Sequence, residues 1–181
     1  MLSKTELTEV RLELLCSDDT EQLLEFELEN KAWFDTFIPP REQIFYSRQG
    51  VLEHIQQFLL DYKCNQLLPL LIKNESRAII GRLNFTNVDL NKGTAHVGYR
   101  IGHQYTSRGV AKLALKKAIA ELSKKGIKRL FAYVEVSNIA SQKVLFFNGF
   151  KKVRIIEEFA QLHGEEIDCI EFTCLINKRQ R

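Results

Sequence analysis

The sequence predicts an α/β fold with about seven strands and about four helices. Two observations carry this prediction: some segments alternate apolar and polar residues, and others repeat apolar residues every three or four positions. At 181 residues, of which 45% are hydrophobic and 27% charged, the chain has the size at which one compact domain buries a substantial core. We therefore expect a single domain over residues 1–181.

The first third of the chain predicts one strand and two helices. Residues 10–14 alternate like a half-buried strand, and residues 17–19 offer capping side chains for a helix that runs through Leu28. The pair Pro39-Pro40 interrupts this region, and a second amphipathic helix follows at about residues 49–62. We expect these two helices to form a lobe.

The middle of the chain predicts three strands and a long helix. Residues 67–73, 78–88 and 93–101 read as strands, and the polar turns that join them are short enough to imply an antiparallel arrangement. From Gly109 onward the apolar residues follow helical spacing, and Gly126 marks the end of that helix.

The last third predicts a strand, a short helix and a hairpin. The strand at residues 129–136 precedes a helix at 138–148, which Gly149 closes. A strand at 150–159 then leads through the turn at 162–165 to a final strand that reaches Leu175.

Composition and the chain ends narrow the classes of protein. The formal net charge of +3 is too small to indicate a nucleic-acid or membrane-surface partner by itself. Residues 1–6 contain no apolar stretch of signal-peptide length, which predicts a cytoplasmic protein, and the basic tail at 177–181 is expected to be solvated. Four widely spaced cysteines lack the spacing of zinc or dithiol sites and are expected to be reduced, mostly buried thiols: Cys16, Cys64, Cys169 and Cys174.

The most informative segment is the turn Thr106-Ser107-Arg108-Gly109-Val110-Ala111, which opens the long helix. A helix N-terminus has N–H groups without internal partners and a positive dipole end, so it can hold phosphate oxygens. Gly109 lets the backbone approach closely, and Arg108 and Lys112 add positive charge. The alternative is that Gly109 only loosens the helix start and the basic residues are ordinary surface charges. The turn carries neither the three-glycine dinucleotide fingerprint nor a P-loop lysine.

A second cluster further along the chain makes a family resemblance specific. The order Gly98-Tyr99-Arg100-Ile101, then Arg108-Gly109-Val110-Ala111, then Asn138 with Ser141, then Gly149-Phe150 resembles the GCN5-related N-acetyltransferase (GNAT) superfamily across most of the chain. Within it, Asn30-Lys31-Ala32-Trp33 and the late Leu162-His163-Gly164-Glu165 hairpin resemble the ribosomal-protein N-acetyltransferases, especially the ribosomal-protein-serine branch.

The resemblance implies a GNAT fold, with a mixed, mostly antiparallel and strongly bent sheet that is splayed between the fourth and fifth strands to admit the pantetheine arm of acetyl-CoA. Acetyl-CoA is then the co-substrate, and no metal is implied. The family motifs place the cofactor contacts at Arg100, Ile101, Arg108, Gly109, Val110, Ala111, Asn138 and Ser141.

Two positions depart from the family pattern. The turn usually begins with Gln or Arg where this chain has Thr106, but the contacts there are mainly from the backbone. Many relatives carry a tyrosine general acid at the position of Leu145, so no phenol at that position protonates the leaving thiolate.

Amine attack on a thioester needs a neutral amine, a stabilised oxyanion and a way to manage the leaving thiolate. Because the reference pKa of an α-amine is about 8 and that of a Lys amine about 10.4, an N-terminal substrate needs less help from a base. Glu135 is the candidate base, directly or through water, and His96 is the second candidate. The alternative for each is an ordinary strand residue.

Ser141 is the residue for which the resemblance implies a hydrogen bond to the coenzyme sulfur, with a first-turn helix position behind an Asn138 cap as the alternative. The oxyanion donor is expected from the backbone near Arg100 or Ile101, where parting strands leave an N–H unpaired. The Arg100 side chain equally suits a salt bridge. Three aromatic residues either line the acceptor cleft or belong to the core: Trp33, Phe34 and Phe37.

The sequence thus predicts transfer of an acetyl group from acetyl-CoA to the N-terminal amine of a protein, a ribosomal protein beginning with serine, by direct attack without an acyl-enzyme. The resemblance adds an expected homodimer. One alternative is an acetyltransferase for a small amine, such as a polyamine or an amine-bearing antibiotic. The other is an acyl-CoA-binding protein without turnover.

Overall fold

The computed structural model describes residues 9–176. The predictions for the chain ends, at residues 1–6 and 177–181, lie outside this range. The helices are α1 Thr20–Glu29, α2 Lys31–Phe34, α3 Arg48–Lys63, α4 Val110–Lys124 and α5 Ile139–Phe147. The strands are β1 Arg11–Leu14, β2 Leu68–Lys73, β3 Ile79–Asp89, β4 Thr94–Ile101, β5 Arg129–Glu135, β6 Lys151–Leu162 and β7 Glu165–Leu175.

The seven strands form one sheet in the order β1-β2-β3-β4-β5-β7-β6. Every neighbouring pair is antiparallel except β4 and β5, which are parallel, so the predicted mixed and mostly antiparallel sheet is confirmed. The short helix α2 brings the described helices to five, against about four expected.

The two parallel strands separate soon after they meet. They are paired only where residues 94–96 of β4 lie beside residues 129–131 of β5. From Val97 and Ala132 onward, β4 stays paired with β3 and β5 stays paired with β7, but β4 and β5 no longer pair with each other. The splay between the fourth and fifth strands is therefore present, and it opens a wedge-shaped gap near the middle of the sheet.

Each face of the sheet carries a hydrophobic core. On one face, α4 packs through Val110, Ala114 and Leu115 against strand residues such as Leu83 and Phe85. On the other face, α1 and α3 pack together through Leu23 and Ile55, which are fully buried, and form the expected lobe. Within residues 9–176, no helix is both long and apolar enough to cross a bilayer.

Local sequence explains most element ends. The Ser47 hydroxyl accepts a hydrogen bond from the Gly50 N–H and caps α3. At the β6–β7 turn, His163 and Gly164 both have positive φ, at 52° and 80°, which is the two-residue turn that matches the twist of a hairpin.

Two expectations about side chains are wrong. Asp19 does not cap α1: its carboxylate accepts from the Cys16 N–H and from the Lys73 ammonium, because the buried Lys73 needs a counterion. Of the four free cysteines, Cys169 and Cys174 are buried, but Cys16 and Cys64 are exposed at element ends.

Candidate functional site

The N-terminus of α4 is open to a ligand. Gly109 precedes the helix with φ 78°, Ser107 has φ 60°, and no side chain of residues 9–176 caps the first turn. By contrast, α3 and α5 each have a side-chain cap, from Ser47 and Asn138 respectively. The first N–H groups of α4 therefore remain available for an external acceptor.

Basic side chains surround this open turn. The Nε of Arg108 is buried without a hydrogen-bond partner in the described part of the chain, and its guanidinium lies 5.9 Å from the centre of the Tyr105 ring. The Lys112 ammonium lies 5.2 Å from the centre of the Phe147 ring. An uncapped helix end with an orphaned guanidinium N–H fits a polyanion such as a pyrophosphate.

A tyrosine and a serine meet across the gap in the sheet. The Tyr99 hydroxyl of β4 lies 2.9 Å from the Ser141 Oγ of α5 and also donates to the Ser141 carbonyl at 3.2 Å. Asn138 accepts from the Ser141 N–H at 3.1 Å and so fixes the first turn of α5. Burial raises the pKa of Tyr99 to about 12, against a smaller opposing effect of its hydrogen bond with Ser141. The phenol is therefore protonated at neutral pH.

The backbone of β4 presents one edge to the same gap. The Gly102 N–H donates to the Ile80 carbonyl of the neighbouring strand, and the register continues as Arg100 opposite Arg82. Because N–H groups alternate along an antiparallel pair, the Arg100 N–H points into β3 and the Ile101 N–H toward the gap. Of the two residues named as oxyanion donors, Ile101 is therefore the one whose backbone N–H points toward the gap.

The face of the sheet toward α1 and α3 carries the second set of candidate residues. Side-chain alternation puts His96, Gly98 and Arg100 on this face of β4, with Glu135 on the same face of β5. An added Cβ at Gly98 would meet nothing within 4 Å, so the surface is open there. The Glu135 carboxylate accepts from the Ser137 hydroxyl at 2.7 Å.

His96 lies at the closed end of the gap. Its ring centre is 5.4 Å from that of Phe131 and 5.6 Å from that of Tyr133. Glu135 lies at the other end of β5, where the strands have parted. Both candidates therefore lie on the face that is open at Gly98, with His96 at the closed end of the gap and Glu135 at the parted end.

Aromatic residues of α2 adjoin the end of β4. The Trp33 indole N–H donates to the Ile101 carbonyl at 3.2 Å, and the Trp33 ring packs on Phe37 and His103. Phe34 is buried in the lobe core, whereas Phe37 is exposed. The His163 ring of the β6–β7 hairpin donates to the Asp35 carbonyl, so the hairpin and α2 border the open surface together.

Two features of this site were missed by reasoning from the sequence. Tyr99 was quoted only as part of a motif, and its hydrogen bond to Ser141 joins residues 42 positions apart. A buried ion pair between Arg82 and Glu27 was also missed. The sequence does contain a signal for this ion pair. Each of the two elements has a charged residue at a position where its pattern expects an apolar one, and a buried charge requires a partner.

Comparison with known proteins decides the family. A family model described as the acetyltransferase (GNAT) domain matches residues 9–151, which is well over half of the chain. The chain belongs to the GNAT acetyltransferase family. A curated relative, the uncharacterized N-acetyltransferase p20 of Bacillus licheniformis, is 27% identical over 128 residues, which cover 70% of this chain and 71% of the relative.

Solved structures with the same fold include two full-length matches. The ribosomal-protein-S5-alanine acetyltransferase of Vibrio fischeri superposes with a TM-score of 0.88 at 21% identity and covers 97% of this chain and 98% of its own. The microcin C7 self immunity acetyltransferase MccE, in complex with acetyl-CoA and AMP, has a TM-score of 0.85 at 23% identity with the same coverage. The predicted GNAT fold is thereby confirmed.

As a GNAT acetyltransferase, this protein is an enzyme that uses acetyl-CoA as its acetyl donor. The fit to that co-substrate rests on the open α4 turn, the orphaned Arg108 N–H and the gap between β4 and β5. Acetyl-CoA supplies an acetyl thioester when bound, and the chain supplies the groups around it.

Proposed function

We propose that this GNAT enzyme acetylates the N-terminal amine of a protein, a ribosomal protein beginning with serine, by direct attack of the amine. The observation that carries the proposal is the gap itself, with Tyr99 and Ser141 toward α5 and Glu135 beside the open surface at Gly98. Amine and thioester then approach from opposite faces of the sheet, and no acyl-enzyme is required. The full-length likeness to a ribosomal-protein-alanine acetyltransferase supports a protein acceptor.

The turn at α4 binds the co-substrate in this proposal. Backbone N–H groups of Gly109, Val110 and Ala111 hold pyrophosphate oxygens, and Arg108 adds a charge-assisted hydrogen bond. Asn138 contacts the pantetheine amide in addition to capping α5.

Two groups at the gap act on the reacting atoms. The Ile101 N–H donates to the oxygen that becomes negative in the tetrahedral stage. The Ser141 hydroxyl donates a hydrogen bond to the departing sulfur, and Tyr99 orients that hydroxyl. This pair takes the place of the tyrosine that relatives carry at the position of Leu145, and it favours turnover over a binding-only protein.

Glu135 is the proposed base, because its carboxylate stands where the strands have parted. Glu135→Gln is expected to lower kcat/KM for a peptide amine by about 100-fold at pH 6.5. The defect should shrink toward pH 9, because an α-amine with a pKa of about 8 is then already neutral. A pH profile of both enzymes measures this, with His96→Gln as the matched control. A defect of equal size at both pH values would exclude a base role for Glu135.

The main rival is a small-amine acetyltransferase, and the likeness to the microcin immunity enzyme keeps an amine-bearing antibiotic among the candidates. A polyamine fits less well. Its several positive charges require several acidic residues, whereas the buried Glu27 of the acceptor lobe, which is the lobe formed by α1 and α3, is already paired with Arg82 and Arg100, and Glu135 is a single carboxylate.

A release assay for free thiol separates these acceptors. We expect peptides with N-terminal serine to give kcat/KM at least tenfold above peptides with a blocked N-terminus and internal lysine, and above spermidine. Mass spectrometry should place the acetyl group on the α-amine. Faster turnover of spermidine, or label on lysine, would overturn the proposed acceptor.

The proposal includes a cytoplasmic location and a homodimer. Val153 and Ile155 are half exposed on β6, the outermost strand of the sheet, and a second copy would cover them. A monomer mass by light scattering at assay concentration would remove the dimer from the proposal.

A further inference from the structure

The acceptor lobe contains a buried network of charges. Arg82 of β3 is 1% exposed and donates to the Glu27 carboxylate of α1 at 2.6 Å. Its other terminal nitrogen lies 2.7 Å from the His54 Nε2. Since Glu27 is also 1% exposed, this pair is fully withdrawn from water and forms the base of the lobe.

A second arginine extends this network toward the open surface. The Arg100 guanidinium lies 3.5 Å from the remaining Glu27 oxygen and 5.2 Å from the centre of the Phe34 ring. The side chain of Arg100 is 18% exposed, so of Arg82 and Arg100 it is Arg100 that reaches solvent. Arg100 and Gly98 share one face of β4, two residues apart, so this guanidinium borders the opening at Gly98.

A third arginine has no acidic partner among the described residues. Arg41 lies in the segment between α2 and α3, with its guanidinium 4.2 Å from the centre of the Phe45 ring. Its Nε is buried and makes no hydrogen bond to any residue between 9 and 176. An orphaned charged donor in a buried position costs free energy unless something accepts from it.

The local charges do not balance. Three guanidinium groups, of Arg41, Arg82 and Arg100, lie close enough to act on His54, but only Arg82 and Arg100 contact a carboxylate, and both contact that of Glu27. Burial, and after it the neighbouring arginines, lowers the pKa of His54 to about 2, so this histidine stays neutral. Burial, and next the charge of Arg82, lowers the pKa of Arg100 to about 9. Both shifts agree with an excess of positive charge in the lobe.

We infer that the acceptor carries an anionic group, a carboxylate or a phosphate, close to its reactive amine, and that Arg41 and Arg100 bind this group. The inference rests on the proposed function for the position of the amine at Glu135, and it adds the chemical class of the substrate. Glu135 of β5 and Arg100 of β4 lie on opposite sides of the opening at Gly98, an arrangement that suits an acceptor with both charges. A peptide with an acidic residue directly after its N-terminus has this form.

The test compares acceptors that differ only in the anion. Amidated peptides of the form Ser-Asp and Ser-Glu are measured against Ser-Asn and Ser-Gln, and serine with a free carboxylate against serinamide. We expect kcat/KM to be at least tenfold higher for acidic second residues. A preference for free serine over serinamide without any peptide preference would assign the anion to a small amino acid. That result would contradict the proposed protein acceptor and would support the inference that the acceptor carries an anionic group.

Arg41→Gln supplies the matching variant, because Arg41 lies in an irregular segment and its loss removes no ion pair. In Arg41→Gln, the ratio of kcat/KM for peptides with an acidic second residue to kcat/KM for those with a neutral one is expected to fall toward one. Arg48→Gln, which removes an exposed arginine of α3, is expected to leave this ratio unchanged. Equal rates for acidic and neutral acceptors in the unmodified enzyme, or an unchanged ratio in Arg41→Gln, would overturn the inference. N-terminal peptide acetylation itself would stand in that case.

Discussion

Gly109→Val is expected to raise the KM for acetyl-CoA by about 10- to 100-fold. Gly109 has φ 78°, a left-handed conformation that costs an L residue about 1–2 kcal/mol and that a β-branched side chain resists further. The turn then relaxes, and the N–H groups of residues 109–111 no longer converge on one point. Steady-state kinetics with acetyl-CoA as the varied substrate measures the effect.

Gly126 provides the matched control at the other end of the same helix. Its φ is 89°, and, as at Gly109, an added Cβ would meet nothing within 4 Å. Gly126→Val should therefore lower the thermal midpoint by a similar amount and leave the KM for acetyl-CoA within about twofold of the unmodified enzyme. If the two variants raise KM equally, the effect is one of stability, and the turn at residues 106–111 is not the pyrophosphate site.

Much of the fold could be predicted because it depends on local chemistry. The hairpin turn at residues 162–165 follows from a few adjacent residues, of which His163 and Gly164 have positive φ. The helix α2 was missed, since four residues carry too little periodicity to be recognised. Asp19 was assigned the wrong partner because Lys73, which holds it, lies 54 positions away.

The candidate site also has a part that depends on adjacent residues and a part that depends on residues far apart in the sequence. The turn at α4 is local and has the residues of an anion site, but by itself it equally suits an ordinary helix start, and Asn138 with Ser141 further along the chain decided the interpretation. The pairing of Tyr99 with Ser141 and the arginines around Glu27 come together only when β3, β4 and the helices are in place. Neither the resemblance nor the residue pattern named Arg41, because an orphaned donor is recognised only from the burial of its nitrogen.

Ser141→Ala is expected to lower kcat by about 100-fold while the KM for acetyl-CoA changes less than threefold. The hydroxyl acts on a sulfur whose charge develops during the reaction, so its loss affects the transition state more than the bound co-substrate. Ser47→Ala, which removes the serine cap of α3 far from the gap, should cost stability and leave kcat unchanged. A raised KM with normal kcat in Ser141→Ala would reduce Ser141 to a binding residue.

Tyr99→Phe completes the test, because it removes only the hydroxyl that meets Ser141 at 2.9 Å. Alone it is expected to lower kcat by about tenfold, since the serine loses the partner that orients it. In a Ser141→Ala background the same change should have no further effect, because Tyr99 acts through Ser141. Additive losses in the double variant would mean that the phenol reaches the reacting atoms by itself and that Tyr99, with a pKa of about 12 and therefore a proton to give, is the acid.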